Sequence, residues 1–275
     1  MRQLIFVLLT AVVSVPLGAA VGQFFFSEET ETPISQELDC LAQDVADAEP
    51  EGVDDAMMKQ HVAREGGLLV EQGKAAEIDA LIKQLALEKC ELELPDANSL
   101  SQEGDSLYAR AKESVVVISA IYKCDRCDNW HATCASGFVI SESGAIVTNY
   151  HVVDQAEKSG LVAMTSDGQV MPVTRVLAAN EMDDVAIVQV EGKDLKPLPI
   201  AKDATDVGTP IAVVSHPDHH FYTYTNGVVS RYHKVRGQGK ETEAMTITAD
   251  FARGSSGAPV LNEQGEVVGV VRSTR

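Results

Sequence analysis

From Ser114 onward the chain is written in short β-branched runs separated by turn residues, and this pattern decides its fold class. Val115–Ile121, Gly137–Ile140, Ala145–Asn149, Gly160–Met164, Val185–Val190, Ile211–Val214, Gly227–Ser230, Met245–Ala249 and Glu266–Val271 all read as strands. Turn residues such as Ser141–Gly144 lie between two of the runs. Many short strands at this spacing predict an all-β sandwich or a pair of barrels.

The chain ahead of these runs is of a different kind. Ile34, Leu38, Leu41 and Val45 share one helical face, and Ile78, Ile82 and Leu85 another, with Leu81 beside them. Met57, Met58 and Val62 predict a helix between these two, broken near Gly66–Gly67. Ser27–Pro33 reads as an acidic linker and Glu93–Ser106 as a second linker. Residues 27–112 are therefore expected to hold a small helical hairpin or three-helix unit with a solvated acidic face, or a partner-binding or oligomerisation piece. Charge enters the argument here. The 275 residues carry 22 basic and 41 acidic side chains, a net charge of -19. Most of the excess lies before residue 113, so it says little about a substrate of the β region. It does argue against nucleic acid as a general partner, which needs a basic surface to displace counterions.

Residues 1–26 read as an export segment. Arg2 is the only charge before Glu28, and Leu4–Phe26 is uncharged throughout. A bilayer span takes roughly 20 apolar residues, so an uncleaved N-terminal membrane anchor fits. A cleaved signal peptide fits as well, with Gly18, Ala19 and Ala20 near a cleavage point. Both place the remainder outside the cytoplasm, in the periplasm or another extracytoplasmic space.

Three segments of the β region carry candidate chemistry. The first is Ala135–Ile140, then a turn, then Ile146–Val153, which contains Thr148–Asn149–Tyr150–His151–Val152–Val153. The second is Asp183–Val188, and the third is Arg253–Gly254–Ser255–Ser256–Gly257–Ala258–Pro259–Val260. Together, and in this order, they resemble the trypsin-like serine peptidases, more closely the HtrA/DegP-like branch, with its T-N-x-H-V-V, D-[LV]-A and G-N-S-G-G segments. Gly227–Val228–Val229–Ser230 is similar to that branch's G-x-V-S strand. The resemblance covers about residues 110–275. It implies a mainly β protein, a trypsin-like double β-barrel over residues 113–275.

The implied activity is serine endopeptidase on protein or peptide substrates, with no cofactor required for catalysis. The carried-over roles are Ser256 as nucleophile, His151 as general base and acid, and Asp184 as the group that orients the histidine. Asp183 competes for the last role, and Asp184 is preferred because it directly precedes Val185–Ala186. A serine hydroxyl is a poor nucleophile without an adjacent base, and histidine, with a pKa of about 6.5, can serve as one. The oxyanion hole falls to the backbone N–H groups of Gly254 and Ser256. Ala258 stands where the common pattern has a second glycine. Asp250, six residues before Ser256, lies on the way to the S1 pocket. An acidic floor there would favour Lys or Arg at the cleaved residue, whereas the branch favours small aliphatic residues. After the run Glu266–Val271 the fold calls for at least one more strand, so the second barrel is expected to be incomplete unless another segment closes it. The resemblance covers the peptidase segments and does not include a PDZ domain. The alternative function is a catalytically impaired binding or chaperone-like module on the same fold.

Cys40 and Cys90 bracket the helical region and lie off its apolar stripes, so a Cys40–Cys90 disulfide is expected in an exported protein. Cys124, Cys127, His131 and Cys134 have the spacing C-x2-C-x3-H-x2-C. Such a set supplies a structural Cys₃His zinc site, and the alternative is one disulfide among the three thiols. His216, His219 and His220 read as parts of a surface loop.

Overall fold

The computed structural model describes residues 10–11, 52–95, 106–124, 126–155, 157–237 and 240–272. A two-residue strand β1 (Thr10–Ala11) is followed by α1 (Asp55–Glu71), α2 (Ile78–Gln84) and α3 (Leu107–Ser114). Ser106 caps α3, its Oγ accepting from the Ala109 N–H at 3.1 Å. The helix gives way to β2 (Val115–Lys123) where the β-branched run begins. β3 (Trp130–Ser141), β4 (Ala145–Thr148), the single turn α4 (Tyr150–Val153), β5 (Gly160–Met164), β6 (Val170–Asn180) and β7 (Val185–Val190) complete the first half. These six strands form a closed barrel in the order β2-β3-β4-β7-β6-β5, with β2 pairing antiparallel to β5.

β2 shows why its sequence is apolar at almost every position. Val116, Ile118 and Ala120 pack in one core cluster, while Val115, Val117 and Ile121 pack in another together with Val62 and Ala63 of α1. The period-two alternation is intact, but α1 covers the outer face, so both faces are apolar. α1 runs unbroken through Gly66 and Gly67, contrary to the expected break there. A Cβ on Gly66 would sit 2.7 Å from Ile121 Cδ1, and one on Gly67 would sit 2.2 Å from the Trp130 ring. The two glycines let the helix lie flat on the hairpin, and that packing offsets their helix-propensity cost of about 1 kcal/mol each. α2 is tied to the barrel as well: Ala76 N–H donates to the Val173 carbonyl at 3.0 Å, and Val176 N–H to Gln84 Oε1 at 2.7 Å.

The second sheet comprises β8 (Pro210–Ser215), β9 (Thr223–Gly237), β10 (Lys240–Ile247), β11 (Pro259–Leu261) and β12 (Val267–Val271), in the order β10-β9-β8-β11-β12. It is a half-barrel. Its end strands are bridged by β1, which runs parallel to Ala244–Met245 on one side and Val270–Val271 on the other. The segment between the barrels covers the other end of β12, where Val267 N–H donates to the Pro199 carbonyl at 2.8 Å. The fold is thus a trypsin-like double barrel preceded by helices; the five later strands form a half-barrel, and the segment that bridges its ends is the two-residue β1.

Apart from Thr10–Ala11, the stretch Leu4–Phe26 lies outside the described residues, as do Cys40 and the face from Ile34 to Val45. Among the described residues no helix is long and apolar enough to cross a membrane.

Candidate active site

β4 and β7 pair antiparallel, with Thr148 opposite Ala186. That register brings the chain just after Thr148 beside the chain just before Ala186. His151 lies in α4, and its Nδ1 is 2.8 Å from Asp184 Oδ2 and 3.0 Å from Oδ1. The His151 backbone N–H also donates to Asp184 Oδ1, at 3.1 Å. Asp184 adopts a left-handed φ of 55°, a conformation that aspartate tolerates better than most residues. Buried Asn149 holds it there, its Nδ2 donating to the Asp184 carbonyl at 2.7 Å. A carboxylate on Nδ1 fixes the neutral ring with its proton on Nδ1 and its lone pair on Nε2. Asp183 is engaged elsewhere, by Asn180 Nδ2 at 2.6 Å and by the Thr242 hydroxyl. Of the two adjacent aspartates, the one that meets the histidine is Asp184.

The serine loop is laid across the first barrel by Ser136. Ser136 N–H donates to the Ser256 carbonyl at 2.8 Å, and Ser136 Oγ donates to the Gly254 carbonyl at 2.8 Å. The same Oγ accepts from the His216 N–H at 3.2 Å, and the Ser136 carbonyl accepts from Thr148 Oγ1 at 2.8 Å. Gly257 has φ 88°, and a Cβ there would lie 2.1 Å from the Ser136 carbonyl oxygen. The loop therefore docks on β3 and on Thr148, three residues before His151. No hydrogen bond joins Ser256 Oγ to His151 among the described residues; such contacts in substrate-free sites often tighten only in the substrate complex.

Gly254 has φ 101°, and a Cβ on it would lie 2.3 Å from the His216 carbonyl oxygen. The Arg253 carbonyl accepts from Asp218 N–H at 2.6 Å. A trans peptide points its C=O and N–H in opposite directions, so this bond turns the Gly254 N–H to the opposite side. Among the described residues neither the Gly254 nor the Ser256 N–H is taken by an acceptor. Both remain available to a developing oxyanion.

The loop that anchors Arg253 is not the plain surface loop its histidines suggested. His216 is fully buried between Phe221 and Tyr222, its Nδ1 accepting from the Tyr222 N–H at 3.1 Å. Asp218, His219 and Tyr222 all have left-handed φ, a concentration of strain that needs firm support. Part of that support comes from Asp55 at the start of α1, whose carboxylate accepts from the Phe221 N–H at 2.8 Å and lies 3.1 Å from His220 Nδ1.

Burial pushes the His216 pKa down to about 4, outweighing the pull of the Val116 backbone and of Asp55 in the other direction. The unfolded chain therefore binds this proton near pH 6.5 and the folded chain only near pH 4. Stability should fall as pH drops through that window and level off below it, by roughly 3 kcal/mol in total. Urea midpoints measured from pH 7 to pH 4 check this, and the His216→Gln protein should lose that part of the slope.

Asp250 is exposed, and its backbone carbonyl accepts from Thr225 Oγ1 at 2.8 Å. Cys124, Cys127 and His131 come together, but Cys134 does not join them. Strand alternation separates them: residues 131 and 134 are an odd number apart on β3 and face opposite sides. Cys134 is buried and receives a hydrogen bond from Ser119 Oγ at 3.4 Å. Cys90 is half-buried, and burial raises its thiol pKa. Its expected partner Cys40 is outside the described residues.

Sequence reasoning assigned no role to Ser136, Asn149 or Asp55. Ser136 and Asn149 stand inside the quoted motifs, but the partner of Ser136 is 118 residues away in the chain.

Residues 135–270 match the family described as "Trypsin-like peptidase domain". The chain is 33% identical over 138 residues to the "Probable periplasmic serine endoprotease DegP-like" of Pseudomonas savastanoi pv. phaseolicola, covering 49% of this chain and 28% of that protein. It is 34% identical over 138 residues to the protein of the same description from Ectopseudomonas mendocina, with the same coverage. The chain thus spans under a third of the length of these relatives. Among solved structures, an inactive serine-to-alanine mutant of Rv3671c from M. tuberculosis superposes with a TM-score of 0.50 at 24% identity, over 66% of this chain and 83% of that one. That likeness concerns the fold.

Proposed function

Because this chain belongs, over residues 135–270, to the trypsin-like peptidase domain family and has HtrA/DegP-like homologues, we propose that it is a serine endopeptidase working through Ser256, His151 and Asp184. The observation that carries this reading is the contact of His151 Nδ1 with both Asp184 oxygens, at 2.8 and 3.0 Å. Ser256 Oγ attacks the scissile carbonyl carbon while His151 Nε2 takes its proton. The tetrahedral oxyanion is received by the N–H groups of Gly254 and Ser256. The imidazolium returns the proton to the leaving amine, and water then cleaves the acyl-enzyme by the same route in reverse. Asp184 holds the ring in orientation and stabilises the imidazolium. We place the activity outside the cytoplasm, on unfolded or damaged envelope proteins; the apolar N-terminal stretch and the word "periplasmic" in the relatives' descriptions support this.

The test is labelling of the folded chain with a fluorophosphonate probe, followed by peptide mapping. One adduct on Ser256 supports the peptidase. A folded protein that takes no adduct favours a second reading, a binding module on the same fold. That reading draws on the second barrel, whose end strands are bridged by only the two-residue β1.

Gly254→Ala is expected to lower kcat by at least about 10²-fold, the cost of one lost oxyanion donor. Neither the left-handed φ nor the 2.3 Å approach to the His216 carbonyl accommodates a methyl. Peptide hydrolysis, with the urea midpoint measured alongside to exclude unfolding, checks it. An unchanged kcat would count against the assigned oxyanion hole.

A further inference from the structure

Cys124, Cys127 and His131 stand at the tip of the β2–β3 hairpin, where Lys123 pairs with Trp130 and Tyr122 with His131. Cys124 Sγ is 3.2 Å from Cys127 Sγ, and Cys127 Sγ is 3.0 Å from His131 Nε2. All three ligand atoms lie within 4.8 Å of one another. Two thiols and an imidazole form a soft-to-borderline donor set, which suits zinc and not magnesium or calcium. Zn–S bonds of about 2.3 Å at tetrahedral angles hold two sulfurs about 3.8 Å apart. The ion would therefore need the cluster to widen by only about half an ångström. We propose that this hairpin tip is a Cys₂His zinc site whose fourth position is filled by water or an added ligand.

The surroundings agree with that assignment. The ligands come from one eight-residue stretch, so little chain entropy is spent in gathering them. The His131 ring stacks on Tyr122 with centroids 5.5 Å apart and planes 29° apart, and Lys158 Nζ covers the Tyr122 ring at 3.5 Å. This stack fixes the imidazole plane, as an outer shell does in a metal site. Charge is balanced too: two thiolates and a neutral imidazole cancel a divalent ion, so Lys123 and Lys158 meet no net positive centre. Thiols bind a metal ion as thiolates, so binding must expel protons and affinity must fall as pH falls. The structural benefit is local. Lys123 and Trp130 flank the cluster, and both bond to Glu71 at the end of α1, at 3.2 and 3.1 Å. An ion at the tip would hold the two anchors of that helix together.

The experiment uses the full chain, reduced with a phosphine, stripped with a chelator and titrated with Zn²⁺, and with Co²⁺ as the spectroscopic probe. The expected result is one metal per chain, with proton release and a Co²⁺ charge-transfer intensity equal to two thiolates. Cys127→Ser and His131→Ala should each weaken binding by at least about 100-fold, the upper range for losing an outer-shell partner alone. Cys134→Ser should leave it unchanged. Urea midpoints of the metal-free variants, matched to metal-free wild type, show that lost affinity is not lost fold. Three outcomes would overturn the site: no stoichiometric binding by the reduced protein, a three-thiolate Co²⁺ spectrum, or equal losses in Cys134→Ser and Cys127→Ser. A Cys124–Cys127 disulfide that yields, once reduced, a protein taking no metal is the first of these. The readouts involve no peptidase activity, so they stand or fall apart from the proposed function.

Discussion

Replacing Ser256 by alanine is expected to lower kcat by about 10⁶-fold, the loss found when a member of a cooperating triad is removed. The substitution deletes one oxygen and little else. The Ser256 carbonyl keeps its bond from Ser136 N–H, and Gly257 keeps its left-handed turn, so the loop should hold its shape. The fall should therefore appear with an unchanged urea midpoint and an unchanged KM where binding precedes slow chemistry. A fluorogenic casein assay on the two proteins, purified in parallel, decides the matter. Casein cleavage at the wild-type rate by Ser256→Ala would remove Ser256 from the mechanism.

Asp184→Asn should be the next most damaging change, lowering kcat by about 10⁴-fold. The asparagine side chain is nearly isosteric and can still accept the His151 backbone N–H. Its amide group, however, would donate to His151 Nδ1 where the carboxylate now accepts. The ring proton would move to Nε2, and the lone pair needed to take the Ser256 proton would be lost. Because the Asp184 side chain is only 16% exposed, beneath a histidine that is 37% exposed, KM should change little. Fluorophosphonate labelling of Ser256 should slow in step with kcat. Labelling at the wild-type rate would show that Asp184 does not set the tautomer.

The chain's own letters reveal much of this architecture, and the places where they mislead have physical causes. β5 and β7 are legible to the residue because their apolar runs are bounded by turns. β6 is not: Pro172 sits inside it, and register shifts near Thr174 and Leu177 break the period-two pattern. α1 continues where its two glycines predict a break because Gly66 and Gly67 answer to Ile121 and Trp130, neighbours that no local window contains. At the site, His151 and Asp184 are named by their motifs, whereas the contributions of Ser136 and Asp55 depend on pairings over 118 and 166 residues. Cys134 stands apart from Cys124, Cys127 and His131 because a count of cysteines ignores which face of a strand each occupies. The burial of His216 is not legible because a histidine in a turn-rich segment carries no local sign that two aromatic rings will enclose it.

The link from Asp55 to Phe221 is also among the longest in sequence span. It joins the first turn of α1 to a loop of the second barrel, a separation of 166 residues, and contacts of such span form late because their loop closure must be offset by structure already in place. The Arg253 carbonyl is oriented by that same loop. His151 and Asp184 both flank strands of the first barrel, whereas Ser256 lies in a loop of the second sheet, so the candidate site is complete only once the long-range brace from Asp55 is in place.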